Sequence, residues 1–417
     1  MTNPLTRRIL ATLTVVAAGA ATLVGSASGG QATESLRPQW IGSWGAAITG
    51  PSGTPGSVSN VGVTDSSIRM LVRTSIGGDA LRIRLSNAFG SQPVQLGKVS
   101  VARPNTATPE LHDVDAATVR ELSFNGSPSV TMWKGSDVLS DPVRLAVPAL
   151  SDLLVTVYLP GTTGPIPWHW QAKQTSYVYA GDHTADAAGT GFTATPTNWF
   201  YLAGVDVRSR NSDGSVVVLG DSIWDGFLST FGANTRVTDF LAARLVNTWP
   251  TWNHPGVLNE SLSGNKVTHD GPGNTVGISA LARLDTDVYG QTKVRSVIVQ
   301  LGLNDVFQEN DPADRIIAGF RQIGQQLREK GLRSLVCTLT PFGGSTSFTP
   351  EREAVRQAVN EYLRTTDDFD AVIDQDAVMR DPADPTRIRA ELDAGDHVHP
   401  NDAGSELIAK AVPLGRL

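Results

Sequence analysis

The hydrophobic rhythm of the chain changes near residue 210. From Trp40 to about Val207, apolar and polar residues alternate in short runs: Leu81, Ile83 and Leu85 alternate with Arg82 and Arg84, and Leu153, Val155, Val157 and Leu159 repeat the pattern before Pro160-Gly161. A period of two belongs to strands with one buried and one wetted face. Ser67 to Ile76 and Ala80 to Ser86 are separated by Gly77-Gly78-Asp79, which predicts a hairpin. Gly, Pro, Ser and Thr punctuate the region and no long stretch has helical spacing. Residues 36–208 therefore read as an all-β domain, an antiparallel sandwich or jelly roll.

After Asn211-Ser212-Asp213-Gly214 the pattern becomes strand, helix, strand. Val216 to Leu219 is a continuous apolar run, as in a strand buried on both faces. Helices are predicted around Val237 to Val246 and from Pro312 to Lys330, the latter with apolar residues at Ile316, Ile317, Phe320, Ile323 and Leu327 and with Gly331 to end it. A third helix starts at the Thr349 cap with Pro350 at its first position, and a fourth begins at Asn401. Strands fall at Val257 to Glu260, Val297 to Leu301, Leu332 to Leu339 and Ala371 to Ile373. This alternation implies right-handed βαβ units, hence a parallel sheet with helices on both faces across residues 214–417.

Composition adds four constraints. The formal charge of -7 argues against a nucleic-acid partner, which needs a basic face. Arg7 and Arg8 precede an apolar run from Ile9 to Val24 and the small residues Gly25-Ser26-Ala27-Ser28, the order of a secretory signal peptide over residues 1–30. The run is short and rich in Ala, Thr and Gly, so removal of the segment and a secreted, extracellular product are expected rather than a permanent anchor, with the Sec and twin-arginine routes both open. Cys337 is the only cysteine and lies in an apolar strand, which reads as a buried structural thiol. Six of the nine tryptophans lie before residue 208. Trp168 and Trp170 would share one face of a strand, either as a platform for sugar rings or as packing, and His112, His169 and His183 lack metal-ligand spacing and read as structural or exposed.

The candidate chemistry gathers at predicted strand ends, where open α/β sheets place their ligands. Gly220-Asp221-Ser222 breaks the first strand and leaves Ser222 as a candidate nucleophile. His399 or His397 can take its proton, and Asp396, three residues before His399, can hold the other ring nitrogen of that histidine. The backbone N–H groups of Ser222 and Gly264 and the side-chain amide of Asn304 suit a developing oxyanion. Trp224, two residues after Ser222, is either packing or a wall of the substrate pocket that favours small acyl groups; Asp305 is placed in the same pocket.

Gly220-Asp221-Ser222, Gly264 within Ser263-Gly264-Asn265, Gly302-Leu303-Asn304-Asp305 and Asp396-His397-Val398-His399-Pro400, in that order, resemble the four block signatures of the SGNH hydrolases, also called GDSL esterases and lipases. The resemblance implies a flavodoxin-like three-layer α/β/α sandwich over residues 214–417. It also implies Ser222 as nucleophile and first oxyanion donor, Gly264 and Asn304 as further donors, His399 as base and Asp396 as its orienter. No metal or cofactor is called for. The first half, notably Trp40-Ile41-Gly42-Ser43-Trp44 and Arg84-Leu85-Ser86-Asn87-Ala88-Phe89-Gly90, is similar to the β-rich region that precedes this domain in some exported bacterial members.

The sequence thus points to a secreted serine esterase acting through an acyl-enzyme on short-acyl or carbohydrate-linked esters, or to a lipase or phospholipase on longer acyl esters. Its expected partners are small-molecule, glycan or lipid ester substrates, without nucleic acid and without stable membrane insertion. Two other readings stay open: a metal-dependent hydrolase built on Asp221, Asp225, Asp305, Asp396, His397 and His399, and a glycan-binding protein that uses Trp168 and Trp170. The Gly-x-Ser-x-Gly elbow of α/β-hydrolases is absent from the chain, which argues against that fold.

Overall fold

The computed structural model describes residues 38–417 except 109–111, 196 and 250–253. The predicted leader, residues 1–30, lies outside the described residues. No helix among the described residues is long and apolar enough to cross a membrane.

The first half is β-rich. Its principal strands are β1 (Gln39–Gly45), β2 (Ser66–Arg73), β3 (Leu81–Ser86), β4 (Lys98–Ala102), β5 (Asp152–Leu159), β6 (Ser176–Ala180) and β7 (Leu202–Ser209). β1, β7, β3 and the short strand Asp137–Leu139 form a four-stranded antiparallel sheet. β6, β2, β5 and β4 are the middle of a six-stranded one. The period-two residues read from the sequence meet in a single apolar cluster: Ile41, Leu81, Ile83, Leu85 and Val205 from the first sheet, and Ile68, Met70, Val99, Val155 and Val157 from the second. Burial of such side chains is worth roughly 1.5–3 kcal/mol each, which is why alternation fixes which face turns inward. Arg82 stays on the other face of β3, paired with Asp206 at 2.8 Å.

One local expectation fails. β2 and β3 lie in different sheets, so Gly77-Gly78-Asp79 carries the chain across and makes no hairpin. The glycines are there for close approach: a Cβ on Gly77 would lie 2.5 Å from the Val147 carbonyl oxygen, and one on Gly78 2.6 Å from that of Arg208.

The second half is an α/β sheet. β8 (Ser215–Gly220), β9 (Gly256–Asn259), β10 (Val294–Gln300), β11 (Arg333–Cys337) and β12 (Ala371–Ile373) pair in parallel in the order β9-β8-β10-β11-β12. Chain order 2-1-3-4-5 is that of flavodoxin-type doubly wound sheets, and it places the end of β8 at the point where the winding reverses. Every residue of β8 is buried, as its continuous apolar run requires.

The principal helices of this half are α1 (Ser222–Asp225), α2 (Val237–Thr248), α3 (Ala313–Glu329), α4 (Pro350–Thr365) and α5 (Asp402–Ala411); a further short helix spans Gln375–Met379. The predicted caps do their work: Thr349 Oγ1 accepts from the Arg352 N–H at the start of α4, and Asn401 Oδ1 from the Gly404 N–H at the start of α5. On α3 the periodic residues Ile316, Phe320, Ile323 and Leu327 are buried. α2 packs against α5 and α3 against α4.

The two halves meet along β1 and β9. A Cβ on Gly256 would lie 1.9 Å from the Gly42 carbonyl oxygen, and one on Gly42 2.8 Å from Leu258 Cδ1, so only glycines let the two strands come this close. Ser75 Oγ bridges the contact, accepting from the Val257 N–H at 2.9 Å and donating to the Ser43 carbonyl. Gly42 and Ser43, within the first-half stretch that the sequence singles out, therefore serve this contact. Cys337, as expected, ends a core strand, and burial pushes its thiol well above the ordinary range.

Candidate active site

β8 ends at Gly220, and Asp221 turns the chain into α1. Its backbone is extended, and its Oδ1 caps the new helix by accepting from the Ile223 N–H at 3.1 Å. Ser222 is thereby the first residue of a short helix, partly exposed at the end of β8. Gly226, at φ 94°, ends the helix after a single turn.

The loop before α5 supplies the partners. Ser222 Oγ lies 2.7 Å from His399 Nε2, and His399 Nδ1 lies 2.6 Å from Asp396 Oδ2. A carboxylate accepting from Nδ1–H leaves Nε2 as the acceptor that faces the hydroxyl. Asp396 Oδ1 accepts in addition from the backbone N–H groups of Val398 and His399, at 3.0 and 2.9 Å. Burial works against its charge, but the His399 ring and these N–H groups outweigh it and hold the carboxyl down to about 2. Asp396 is therefore ionised at any working pH.

His397 goes elsewhere. It takes a left-handed backbone, φ 64°, and its Nδ1 meets Asp393 Oδ2 at 2.7 Å. Its side chain is 46% exposed against 12% for His399. The loop thus holds two histidine–aspartate pairs, and the one containing His399 reaches Ser222.

Gly264 follows β9 in a turn at φ +85°, where a side chain would be strained, and a Cβ there would also crowd Val276 at 3.2 Å. Asn304 follows β10. Its Nδ2 donates to the Asn265 carbonyl at 3.0 Å and its Oδ1 accepts from Gln308 Nε2 at 2.6 Å. A carboxamide has two N–H bonds, so tying one to the glycine turn still leaves a donor.

Of the two residues considered for the pocket, Trp224 takes the packing alternative and Asp305 is buried. Trp224 has 0% of its surface exposed, lies in the α/β core and donates from Nε1 to Gln375 Oε1 at 2.8 Å, so it offers nothing to a substrate. Its position two residues after Ser222 turns it inward, because a helix carries residues i and i+2 on different faces. Asp305 is also fully buried: both its oxygens accept from the Val267 N–H at 3.0 Å. It braces the chain just after the glycine turn, and burial, only partly offset by these bonds, raises its carboxyl to about 6.

Several residues of the site carry no sequence signal. Arg283, almost fully buried, donates to the Gly220 carbonyl at 3.2 Å, to Asn265 Oδ1 at 3.0 Å and to Asp287 at 2.9 Å, so one guanidinium spans the ends of the Ser222 strand and the Gly264 turn. His169, from the β-rich half, meets Asp225 of α1 at 2.9 Å. Beside the catalytic face, the Phe227 ring centroid lies 4.7 Å from that of His399, and Trp170 lies 6.4 Å beyond Phe227. Leu228 and Phe231 follow Phe227 on the same loop and are exposed. Only the identity of these residues as apolar or charged is visible in the sequence; their placement depends on segments far apart in the chain.

The six side chains considered for a cation do not converge. Asp225 is engaged by His169 and Ser263, Asp305 by Val267, His397 by Asp393, and Asp396 by His399. Among the described residues, no group of three or more His, Cys, Asp or Glu is placed to hold a metal ion. Trp168 and Trp170 form no open platform. Trp168 packs against the β core and exchanges backbone hydrogen bonds with Thr49, while Trp170 sits against Phe227.

Residues 218–407 match the GDSL-like lipase/acylhydrolase family. Among solved structures, the chain is similar to an acetylxylan esterase from Geobacillus stearothermophilus, with 21% identity over 48% of this chain and 93% of that one at a TM-score of 0.37. It is also similar to the aryl esterase of M. smegmatis, with 17% identity over 47% and 95% at a TM-score of 0.39. No curated protein matches the chain. The protein is a carboxylic ester hydrolase. Its α/β half carries a GDSL-like lipase/acylhydrolase domain.

Proposed function

We propose that the protein is an exported serine esterase that hydrolyses carboxylic esters through an acyl-enzyme, with residues 214–417 as its catalytic domain and 36–208 as an accessory β-sandwich. The observation that carries this reading is the chain of contacts from Ser222 Oγ to His399 Nε2 at 2.7 Å and from His399 Nδ1 to Asp396 Oδ2 at 2.6 Å. Ser222 attacks the ester carbonyl as His399 takes its proton, and Asp396 stabilises the imidazolium that results. The tetrahedral oxyanion is met by the N–H groups of Ser222 and Gly264 and by Asn304 Nδ2. His399 then returns the proton to the leaving alkoxide, and a water repeats the cycle on the acyl-enzyme.

We assign short-acyl or carbohydrate-linked esters as substrates. A second reading, longer acyl esters, is favoured by one observation: Leu228 and Phe231 are exposed on the loop whose Phe227 packs against His399, an apolar surface where a chain could lie. Export rests on the leader pattern of residues 1–30.

A stopped-flow burst of p-nitrophenol, in proportion to enzyme, is expected with p-nitrophenyl acetate. A linear trace with no burst, together with trapping experiments that find no acylated Ser222, contradicts the mechanism. A series from acetate to palmitate, run beside acetylated xylan, decides between the two substrate readings.

A further inference from the structure

The proposed catalytic residues all come from the α/β half, yet a buried polar contact beside them comes from the other half. His169 sits in a two-residue ribbon, Trp168–His169, paired with Trp199–Phe200 and tied to Thr49 by backbone hydrogen bonds of 2.8 and 3.2 Å. Its Nδ1 lies 2.9 Å from the Ala47 carbonyl oxygen and its Nε2 2.9 Å from Asp225 Oδ1. Both side chains of this pair are 2% exposed. Asp225 closes the single-turn helix that Ser222 opens. Its second oxygen, Oδ2, accepts from the Ser263 N–H at 2.8 Å and from Ser263 Oγ at 2.6 Å. Ser263 is the residue immediately before Gly264.

We infer that His169 is a positioning residue for ester hydrolysis: through Asp225 it locks the Ser263–Gly264 turn against the Ser222 helix, so that the β-rich half sets the geometry of the oxyanion site. This rests on the roles proposed above for Ser222 and Gly264.

Three arguments carry it. A carboxylate with three donors on two oxygens has a fixed orientation, because each donor selects a lone-pair direction and charge-assisted bonds of 2.6–2.9 Å tolerate little movement. The two elements it joins are the two that must be held in register for an oxyanion to be met from both sides, since the donors act only when fixed close to where the charge develops. Finally, a buried carboxylate is costly unless its oxygens are hydrogen-bonded, and the donors that satisfy Asp225 come from His169 of one half and Ser263 of the other, so satisfying it ties the two together. His169 touches none of the residues that meet the substrate. The ring rests on Trp199, at 5.4 Å between centroids, and on the Ala47 carbonyl, both parts of the β-rich half.

The test uses the full-length enzyme with p-nitrophenyl acetate. His169→Ala is expected to lower kcat by up to ~10²-fold, the scale on which small misplacements remote from the chemistry act, with KM within about twofold of wild type. His169→Gln keeps a donor for Asp225 and is expected to recover part of the loss. Ser263→Ala deletes a single contact and keeps the fold in reach where His169→Ala does not fold; a several-fold fall in kcat is expected. A boronic acid whose tetrahedral adduct fills the oxyanion site should lose affinity in step with kcat across the set, which a loss of folded protein does not produce. The inference is overturned if Ser263→Ala keeps kcat within twofold of wild type, or if kcat falls in the Ser263 or His169 variants while boronic acid affinity does not. Ser222→Ala is measured alongside. If it still turns over, the acyl-enzyme reading itself fails; if it is dead while the His169 and Ser263 variants are unaffected, the positioning role alone falls.

Discussion

The molecule uses a histidine–aspartate pair on either side of the Ser222 helix, and the two differ in what surrounds them. His399 and Asp396 belong to one loop, three residues apart and partly exposed, with the free ring nitrogen turned to a serine hydroxyl. His169 and Asp225 come from opposite halves, are sealed from water and have every ring nitrogen and carboxylate oxygen already engaged. The same chemical groups therefore do opposite things. A histidine with one nitrogen held and one facing a reactive group can move a proton, whereas one held on both sides can only hold. His397 and Asp393 add a control: the same kind of pair, in the same loop, with its histidine turned out to solvent.

The sharpest way to break this comparison is to exchange the histidines for alanine one at a time. His399→Ala is expected to lower kcat by roughly 10⁴-fold or more, as loss of a triad member does, and His397→Ala to leave it within about twofold, read in steady-state assays. If His397 proves the more sensitive, the assignment of the base is wrong.

Asn304→Ala tests the oxyanion side and should cost roughly 10²- to 10³-fold in kcat with little change in KM.

Trp224→Phe sharpens the correction made by its burial. Removing the indole N–H leaves Gln375 Oε1 without its donor, which should cost about 1–3 kcal/mol of stability in denaturant titrations. The preference among acyl chain lengths should not move, and a shift toward longer chains would return Trp224 to the pocket wall.

A last effect concerns pH. Asp221 is buried beneath the site, its Oδ2 without a hydrogen-bond partner among the described residues, and desolvation lifts it to about 7; Asp305 is lifted to about 6 for the same reason. Both stay protonated when folded at pH 5, where the unfolded chain has ionised. The folded state binds more protons there, so their contribution to stability falls as pH rises from about 4 to 7. Asp396 has the opposite sign: its contribution is present above about pH 4 and lost as pH falls toward 2. Thermal unfolding of Asp221→Asn and Asp305→Asn should accordingly be flatter between pH 5 and 7.5 than that of the wild type.

Much of this was legible in the chain because the signals are local. The apolar run Val216 to Leu219 before Gly-Asp-Ser, the spacing of Asp396 and His399, and the caps Thr349 and Asn401 each need only a few neighbouring residues to be read. What stayed hidden is set by partners distant in sequence. Proximity to Ser222 and Asn304 leaves the orientation of Trp224 and Asp305 open, and it is helix geometry and the arrival of Gln375 and Val267 that turn them inward. Gly77-Gly78 has the composition of a hairpin turn, and only the backbones of Val147 and Arg208 show that it is a crossing. The His169–Asp225 contact joins residues 56 positions apart across two halves, with no pattern in either to announce it.

The central claim, that Ser222 is the nucleophile of an acyl transfer, is tested most directly by intact-mass analysis after treatment with a fluorophosphonate. The account predicts a single adduct per wild-type chain, mapped to Ser222, with complete loss of ester hydrolysis, and no adduct on Ser222→Ala. Stoichiometric labelling of Ser222→Ala, or a wild-type enzyme that stays unlabelled and active, would contradict it.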